Sequence, residues 1–250
     1  MNTHIQSLID EAKQRMFSSC DNLHDIGHAS RVATYSAQIS QQLGIGEEEM
    51  NIIALASWWH DTARSLTRKP SIIWMRCIDD FISGYLLSRA AKKLDIKENE
   101  IVSQAIRIIV SKNIGTKRLF TKLILSPKYR ILLSIVQDAD ALDALHLTRL
   151  NGLKHMAENS FLYKHIYKWV VWWFLHSRDL QFQTDWARKY FGEEVLKSFL
   201  EWLRTSEIFE WHKKMFSQKW LEKRMYEGEL FMQSFEVSFK THSMPSSFNG

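Results

Sequence analysis

Apolar residues recur at helical spacing along nearly all of this 250-residue chain. No segment alternates apolar and polar residues for long enough to require a sheet. Only nine glycines and three prolines interrupt the pattern, which suits helices joined by few tight turns. The sequence therefore predicts an all-α fold. At this length we expect a single domain over residues 1–240, followed by a flexible Ser/Pro/Asn/Gly-rich tail over 241–250.

The apolar periodicity also predicts where the helices lie. Helices are expected over 4–17, Glu47–Ala63, 71–90, 97–110, 128–146, 186–204 and 207–238. A further helix begins after Asp25, which is a favoured N-cap residue, and one face of it carries His28, Val32, Tyr35, Ile39 and Leu43. Between Lys112 and Pro127 the pattern weakens, and we expect a loop or a short irregular piece.

Four polar side chains stand on faces that otherwise read as apolar: His28, His60, Asp61 and Asp140. Burying a charge there is unfavourable unless the group is paired or coordinates a metal. Each residue alone has an ordinary explanation, such as a core histidine bonded to a carbonyl or an aspartate in an ion pair. Together, two imidazoles and two carboxylates favour one divalent ion, with Mn²⁺, Fe²⁺, Co²⁺, Ni²⁺ and Mg²⁺ all suited to such ligands.

Charge and composition limit the cellular location and the classes of binding partner that we expect for this protein. The net charge of +5 is compatible with an anionic substrate, although it also fits an ordinary solvated surface, and no long Lys/Arg block favours a nucleic-acid partner. The longest apolar run, Trp169 to Leu175, is far shorter than the roughly 20 residues that cross a bilayer. Residues 1–14 lack the apolar core of a secretory signal, and Cys20 and Cys77 are too few for a disulfide framework. We predict a cytoplasmic protein with no membrane partner.

Aromatic residues crowd the segment from Phe161 to Phe174, which includes Trp169, Trp172 and Trp173. In a helical bundle such side chains most often belong to the core, and the sequence predicts this here. The alternative is a surface that contacts a partner or a membrane. Aromatic faces that stay exposed are also compatible with a homodimer.

Three motifs resemble the HD superfamily of metal-dependent phosphohydrolases, and most of all a small bacterial subgroup with the pattern H-D-x-x-H-x-x-R-V. They are His24-Asp25-Ile26-Gly27-His28-Ala29-Ser30-Arg31-Val32, Trp59-His60-Asp61 and Gln137-Asp138-Ala139-Asp140-Ala141-Leu142-Asp143-Ala144. The likeness covers about residues 20–150 and continues more faintly around 224–239. It implies an HD helical bundle as the metal-site core, with a helical C-terminal extension over 151–240.

The resemblance implies a role for each motif residue. His28, His60, Asp61 and Asp140 would bind the metal, Asp61 would orient an attacking water, and His24 would donate a proton. The substrate would be a nucleotide or another small phosphate ester or anhydride, hydrolysed by a metal-activated water. For His24 the alternative is a residue that only flanks the start of the helix.

Three cations are candidate phosphate contacts, namely Arg31, Arg64 and Lys112. For each arginine the alternative is an ion pair with Asp25 or another acid, and for Lys112 it is a solvated position. Asp143 is a candidate hydrogen-bond acceptor for a ligand histidine, or else a surface residue or a salt-bridge partner.

Two departures from the subgroup pattern leave a second function open. Ala141 stands where the subgroup usually has Arg or Lys, and the stretch Val110-Ser111-Lys112-Asn113-Ile114 lacks the histidine often found there. The alternative function is a catalytically weak or inactive HD module that binds a nucleotide or a partner protein.

Overall fold

The structure, a computed structural model, describes residues 3–21, 23–67, 78–96, 99–113, 119–176 and 182–242, with side chains for all of these except 174–176 and 234–242. In this part of the chain every regular element is a helix, which confirms the predicted all-α class. None of these helices has both the length and the apolar character needed to cross a bilayer. Parts of several predictions lie outside the described residues, at 71–77, 97–98, Cys77, Ile114 and 243–250.

The chain divides into two compact units. The N-terminal unit comprises Met1–Ala144 with Phe182–Ala187, and the C-terminal unit comprises Leu145–Gln181 with Arg188–Gly250. The first seven helices are α1 (Thr3–Phe17), α2 (Ile26–Gln42), α3 (Glu47–Trp59), α4 (Asp79–Lys93), α5 (Glu100–Ser111), α6 (Leu119–Ile124) and α7 (Arg130–Asp143). The others are α8 (Leu147–Asn159), α9 (Phe161–His176), α10 (Asp185–Tyr190), α11 (Lys197–Arg204), α12 (Ser206–Phe216) and α13 (Gln218–His242).

Helix α3 lies at the centre of the N-terminal unit, where it contacts α1, α2, α5 and α7. Because α3 is central, polar side-chain atoms on it are buried, and two of them donate hydrogen bonds within the core. The indole Nε1 of Trp59 donates to the carbonyl of Leu8 at 3.0 Å, and the hydroxyl of Ser57 donates to that of Ser36 at 2.9 Å. Helices α2 and α7 also pack against each other. The three helices α2, α3 and α7 therefore converge on one region of the core.

Helix α2 begins where the sequence predicts. The carboxylate of Asp25 accepts a hydrogen bond from the backbone N–H of His28 at 2.9 Å and caps the helix, which confirms the predicted N-cap. The predicted face is buried at His28, Val32 and Ile39, but Leu43 is 43% exposed. The face ends early because α2 stops at Gln42.

Several helix boundaries differ from the prediction. Helix α6 lies within the predicted loop at 112–127, and the predicted helix over 128–146 ends at Asp143. Residues 207–238 form two helices instead of one, because Ser217 has φ +112°. A positive φ ends a right-handed helix, and no glycine or proline marks this position in the sequence.

The aromatic segment forms α9, and only part of it is buried. Tyr167 is fully buried, whereas Trp169, Trp172 and Trp173 are 48%, 43% and 38% exposed. The prediction of core positions is therefore confirmed for Tyr167 and wrong for these three tryptophans. Aromatic residues occur all around this helix, and a helix on a protein surface buries only one face.

Candidate metal centre

The imidazoles of His28 and His60 meet in the core of the N-terminal unit. Their Nε2 atoms lie 3.1 Å apart, and both side chains are fully buried. Nδ1 of His60 donates to the carbonyl of Ser57 at 2.7 Å, and Nδ1 of His28 donates to Oδ2 of Asp143 at 2.6 Å. Because a carbonyl and a carboxylate only accept, each neutral ring carries its proton on Nδ1. The two Nε2 lone pairs therefore face each other, an arrangement that a cation between them would stabilise.

Two carboxylates approach the same point. Oδ2 of Asp61 lies 3.2 Å from Nε2 of His28 and 3.3 Å from Nε2 of His60. Oδ1 of Asp140 lies 3.5 and 3.9 Å from the same two nitrogens. The ligand atoms of His28, His60 and Asp61 are all within 4.8 Å of one another, so these three residues can hold a metal ion. Asp140, whose side chain is 28% exposed, borders this group on a side that solvent reaches.

The end of α3 explains how neighbouring residues reach one centre. In a continuous α-helix, consecutive side chains point about 100° apart, at 3.6 residues per turn. Here His60 is the C-cap of α3, and Asp61 leaves the helical region with φ −115° and ψ 13°. The prediction that α3 continues to Ala63 is therefore wrong, and the turn allows both side chains to converge.

Lys112 lies against the two carboxylates. Its Nζ is 3.0 Å from Oδ2 of Asp140 and 3.5 Å from Oδ1 of Asp61. Burial alone would lower the pKa of Lys112, but the carboxylates of Asp140, Asp61 and Asp80 raise it above its ordinary value. Burial would likewise raise the pKa of Asp61, yet the charge of His60, when its ring is protonated, and the charge of Lys112 hold that pKa well below the usual range. Lys112 and Asp61 therefore form a buried, charged pair.

His24 borders the cluster and is oriented by an aspartate that sequence reasoning missed. Its Nδ1 lies 3.0 Å from Oδ2 of the buried Asp21, and its Nε2 lies 4.0 Å from Oδ2 of Asp61. Burial favours a higher pKa for Asp21, but the hydrogen bond and charge of His24 hold that pKa below its usual value. The one sequence signal for Asp21 is its position three residues before His24.

The two arginines pair with carboxylates. Arg31 donates to both oxygens of Asp143, with Nη2 at 3.2 Å from Oδ2. Arg64 is buried and donates from Nη2 to Oδ2 of Asp79 at 2.6 Å. The alternative of an ion pair is thus present for both, although the acid is not Asp25. The hydrogen bond predicted from a histidine to Asp143 is also present.

Two further residues of the third motif, Gln137 and Asp138, bind backbone groups that are remote in the chain, and the sequence assigned them no role. Nε2 of Gln137 donates to the carbonyl of Lys112 at 2.6 Å. The carboxylate of Asp138 accepts from the backbone N–H groups of Gln183 and Thr184, both at 2.8 Å. Contacts this remote in the chain leave no local sequence pattern.

Comparisons with known proteins gave no relative: no family model, no curated protein and no solved structure matches this chain. The donor atoms themselves indicate the class of ligand. Two imidazole nitrogens with nearby carboxylate oxygens suit a borderline or hard divalent ion, and no thiolate is among them. The chemistry of the donor set therefore fits the predicted divalent metal.

Proposed function

We propose that this protein is a metal-dependent phosphohydrolase of the HD superfamily, acting on a nucleotide or another small phosphate ester or anhydride. One observation carries the proposal: the Nε2 atoms of His28 and His60 face each other at 3.1 Å, and Oδ2 of Asp61 lies 3.2 and 3.3 Å from them. Four residues would hold the ion, namely His28, His60, Asp61 and Asp140. When bound, a divalent ion supplies Lewis acidity, which acidifies water and polarises a phosphoryl oxygen.

Asp61 would orient a water molecule, and Lys112 would stabilise charge on the phosphoryl group. The 3.5 Å between Oδ1 of Asp61 and Nζ of Lys112 is longer than a normal hydrogen bond. That oxygen thus keeps a lone pair with which to orient a water. The ammonium group has three N–H donors, more than the two carboxylate contacts that the described residues show. Lys112 is therefore the cation best placed to stabilise charge on a phosphoryl oxygen.

His24 would donate a proton to the leaving oxygen of the substrate. Asp21 accepts from Nδ1 and stabilises the charged imidazole, while Nε2 faces Asp61. A proton on Nε2 can then pass to the leaving oxygen of the substrate. Arg31 and Arg64, which bind carboxylates, would support the site through Asp143 and Asp79 instead of contacting phosphate.

A second candidate function is an HD module that binds a nucleotide or a partner protein without catalysis. The ion pairs of Arg31 with Asp143 and of Arg64 with Asp79 favour this function. Each carboxylate binds a guanidinium group that would otherwise be available to a phosphate. In this case the metal would organise the fold around the site.

A screen of phosphate esters separates the two functions. The full chain is assayed against a broad nucleotide panel with added Mn²⁺, Mg²⁺, Ni²⁺ or Co²⁺. Hydrolysis that is lost in His60→Ala and Asp61→Asn, but kept in a variant of an exposed histidine, His155→Ala, supports the phosphohydrolase. A wild-type protein that binds the ion but cleaves nothing in the panel supports the binding module. Circular dichroism checks that each variant is folded.

A further inference from the structure

Each carboxylate of the cluster directs its two oxygens to different neighbours. Oδ2 of Asp61 and Oδ1 of Asp140 face Nε2 of His28, at 3.2 and 3.5 Å. The other two oxygens, Oδ1 of Asp61 and Oδ2 of Asp140, face Nζ of Lys112 at 3.5 and 3.0 Å. A carboxylate with a cation on each of its oxygens bridges the two cations. Asp61 and Asp140 therefore offer two adjacent cation positions, and an ammonium group fills one of them.

The position of Lys112 is fixed by its backbone. It is the C-cap residue of α5, and its carbonyl accepts from Nε2 of Gln137 at 2.6 Å. The next backbone N–H, of Asn113, donates to Oδ2 of Asp80 at 3.0 Å. Lys112 itself is only 7% exposed. A buried ammonium group is unfavourable unless it is paired, so these contacts indicate a cation position that is built into the fold.

We infer that the ammonium group of Lys112 takes the place of a second metal ion, so that the site binds one divalent cation and excludes another. This inference rests on the proposed function, because it requires His28, His60, Asp61 and Asp140 to hold the first ion. A metal bonded to the outer oxygens would lie about 2.0–2.6 Å from each, in the space that Nζ fills. Two cations so close in a buried site repel strongly.

Metal stoichiometry tests the inference without any substrate. Full-length protein is titrated calorimetrically with Mn²⁺ as wild type, Lys112→Met, Lys112→Arg and a control at an exposed lysine, Lys92→Met. We expect one ion per chain for the wild type, Lys112→Arg and Lys92→Met, and a second ion for Lys112→Met. One ion in Lys112→Met, or two in the wild type, would overturn the inference.

A measurement on the wild type decides the matter if Lys112→Met does not fold. At saturating Mn²⁺, the electron paramagnetic resonance spectrum should be that of an isolated ion. A spectrum of an exchange-coupled pair would refute the role of Lys112. Failure of the two proposals is distinguishable: a folded wild type that binds no ion refutes both, whereas one ion in the wild type and in a folded Lys112→Met refutes only the role of Lys112.

Discussion

Asp143 connects His28 to Arg31 across two helices. Its Oδ2 lies 2.6 Å from Nδ1 of His28, and Arg31 donates to both of its oxygens. The aspartate is fully buried in the last turn of α7, where the helix dipole disfavours negative charge. Arg31 compensates for that placement, and Asp143 in turn fixes the tautomer of His28 that leaves Nε2 unprotonated.

Replacing Asp143 by Asn should weaken metal binding. Asparagine keeps the shape but removes the charge that orients His28 and makes it more basic, so the affinity for Mn²⁺ should fall roughly 10- to 100-fold. Competition against a fluorescent chelator measures the change, with Asp10→Asn as a surface control. Unchanged affinity in a folded Asp143→Asn protein would show that Asp143 has no influence on the site.

Arg31 should act through Asp143. We expect Arg31→Gln to lower the free energy of unfolding by about 1 to 3 kcal/mol, since hydrogen bonds to a charged group are lost. In a double-mutant cycle with Asp143→Asn, measured by urea unfolding, the combined loss should be smaller than the sum of the single losses. Additive losses, or a change confined to the KM of a substrate, would instead indicate a direct phosphate contact.

Asp80 should make the metal-free protein less stable as the pH rises. Burial raises the pKa of Asp80 to about 6, whereas an aspartate in an unfolded chain titrates near 3.9. The folded state therefore binds the proton more tightly, and stability falls as the pH rises from about 4 to about 6. The wild type should lose this stability and Asp80→Asn should not. The free energy of unfolding of Asp80→Asn, relative to that of the wild type, should therefore increase by about 1 to 3 kcal/mol between pH 4 and pH 7. Urea unfolding with chelator present measures this difference, and a difference independent of pH would contradict the assignment.

The C-terminal unit should show the opposite pH dependence through His212. Burial lowers the pKa of His212 to about 4, while its Nδ1 donates to the carbonyl of Ile208 and its Nε2 accepts from the hydroxyl of Tyr167, both at 2.7 Å. Stability should therefore be lost as the pH falls from about 6.5 to about 4. Thermal unfolding of His212→Gln should depend less on pH in this window than that of wild type. His155→Gln, at an exposed position, should behave like wild type, and an equally steep loss in His212→Gln would refute the assignment.

The sequence predicted the elements whose signals are local. Asp25 caps α2 through the backbone N–H of His28, and apolar periodicity alone located α1. The turn after Trp59 escaped prediction, because no glycine or proline separates α3 from the short 3₁₀ helix Thr62–Leu66. The break at Ser217 likewise has no glycine or proline to mark it.

The motifs predicted which residues approach one another, but the partners of the cations follow from packing. Arg31 and Asp143 are 112 positions apart, so only the contact between α2 and α7 shows that they pair. The position of Lys112 between two carboxylates is equally remote from any local pattern, because Asp61 precedes it by 51 residues and Asp140 follows it by 28.

Elemental analysis of protein purified without chelator tests the central claim most directly. We predict one divalent ion per chain for the wild type and loss of that ion in His28→Ala and in His60→Ala, with helical content unchanged by circular dichroism. His155→Ala should keep the ion. A folded wild type without metal, or a folded His60→Ala protein that retains the full amount, would contradict the proposed metal centre.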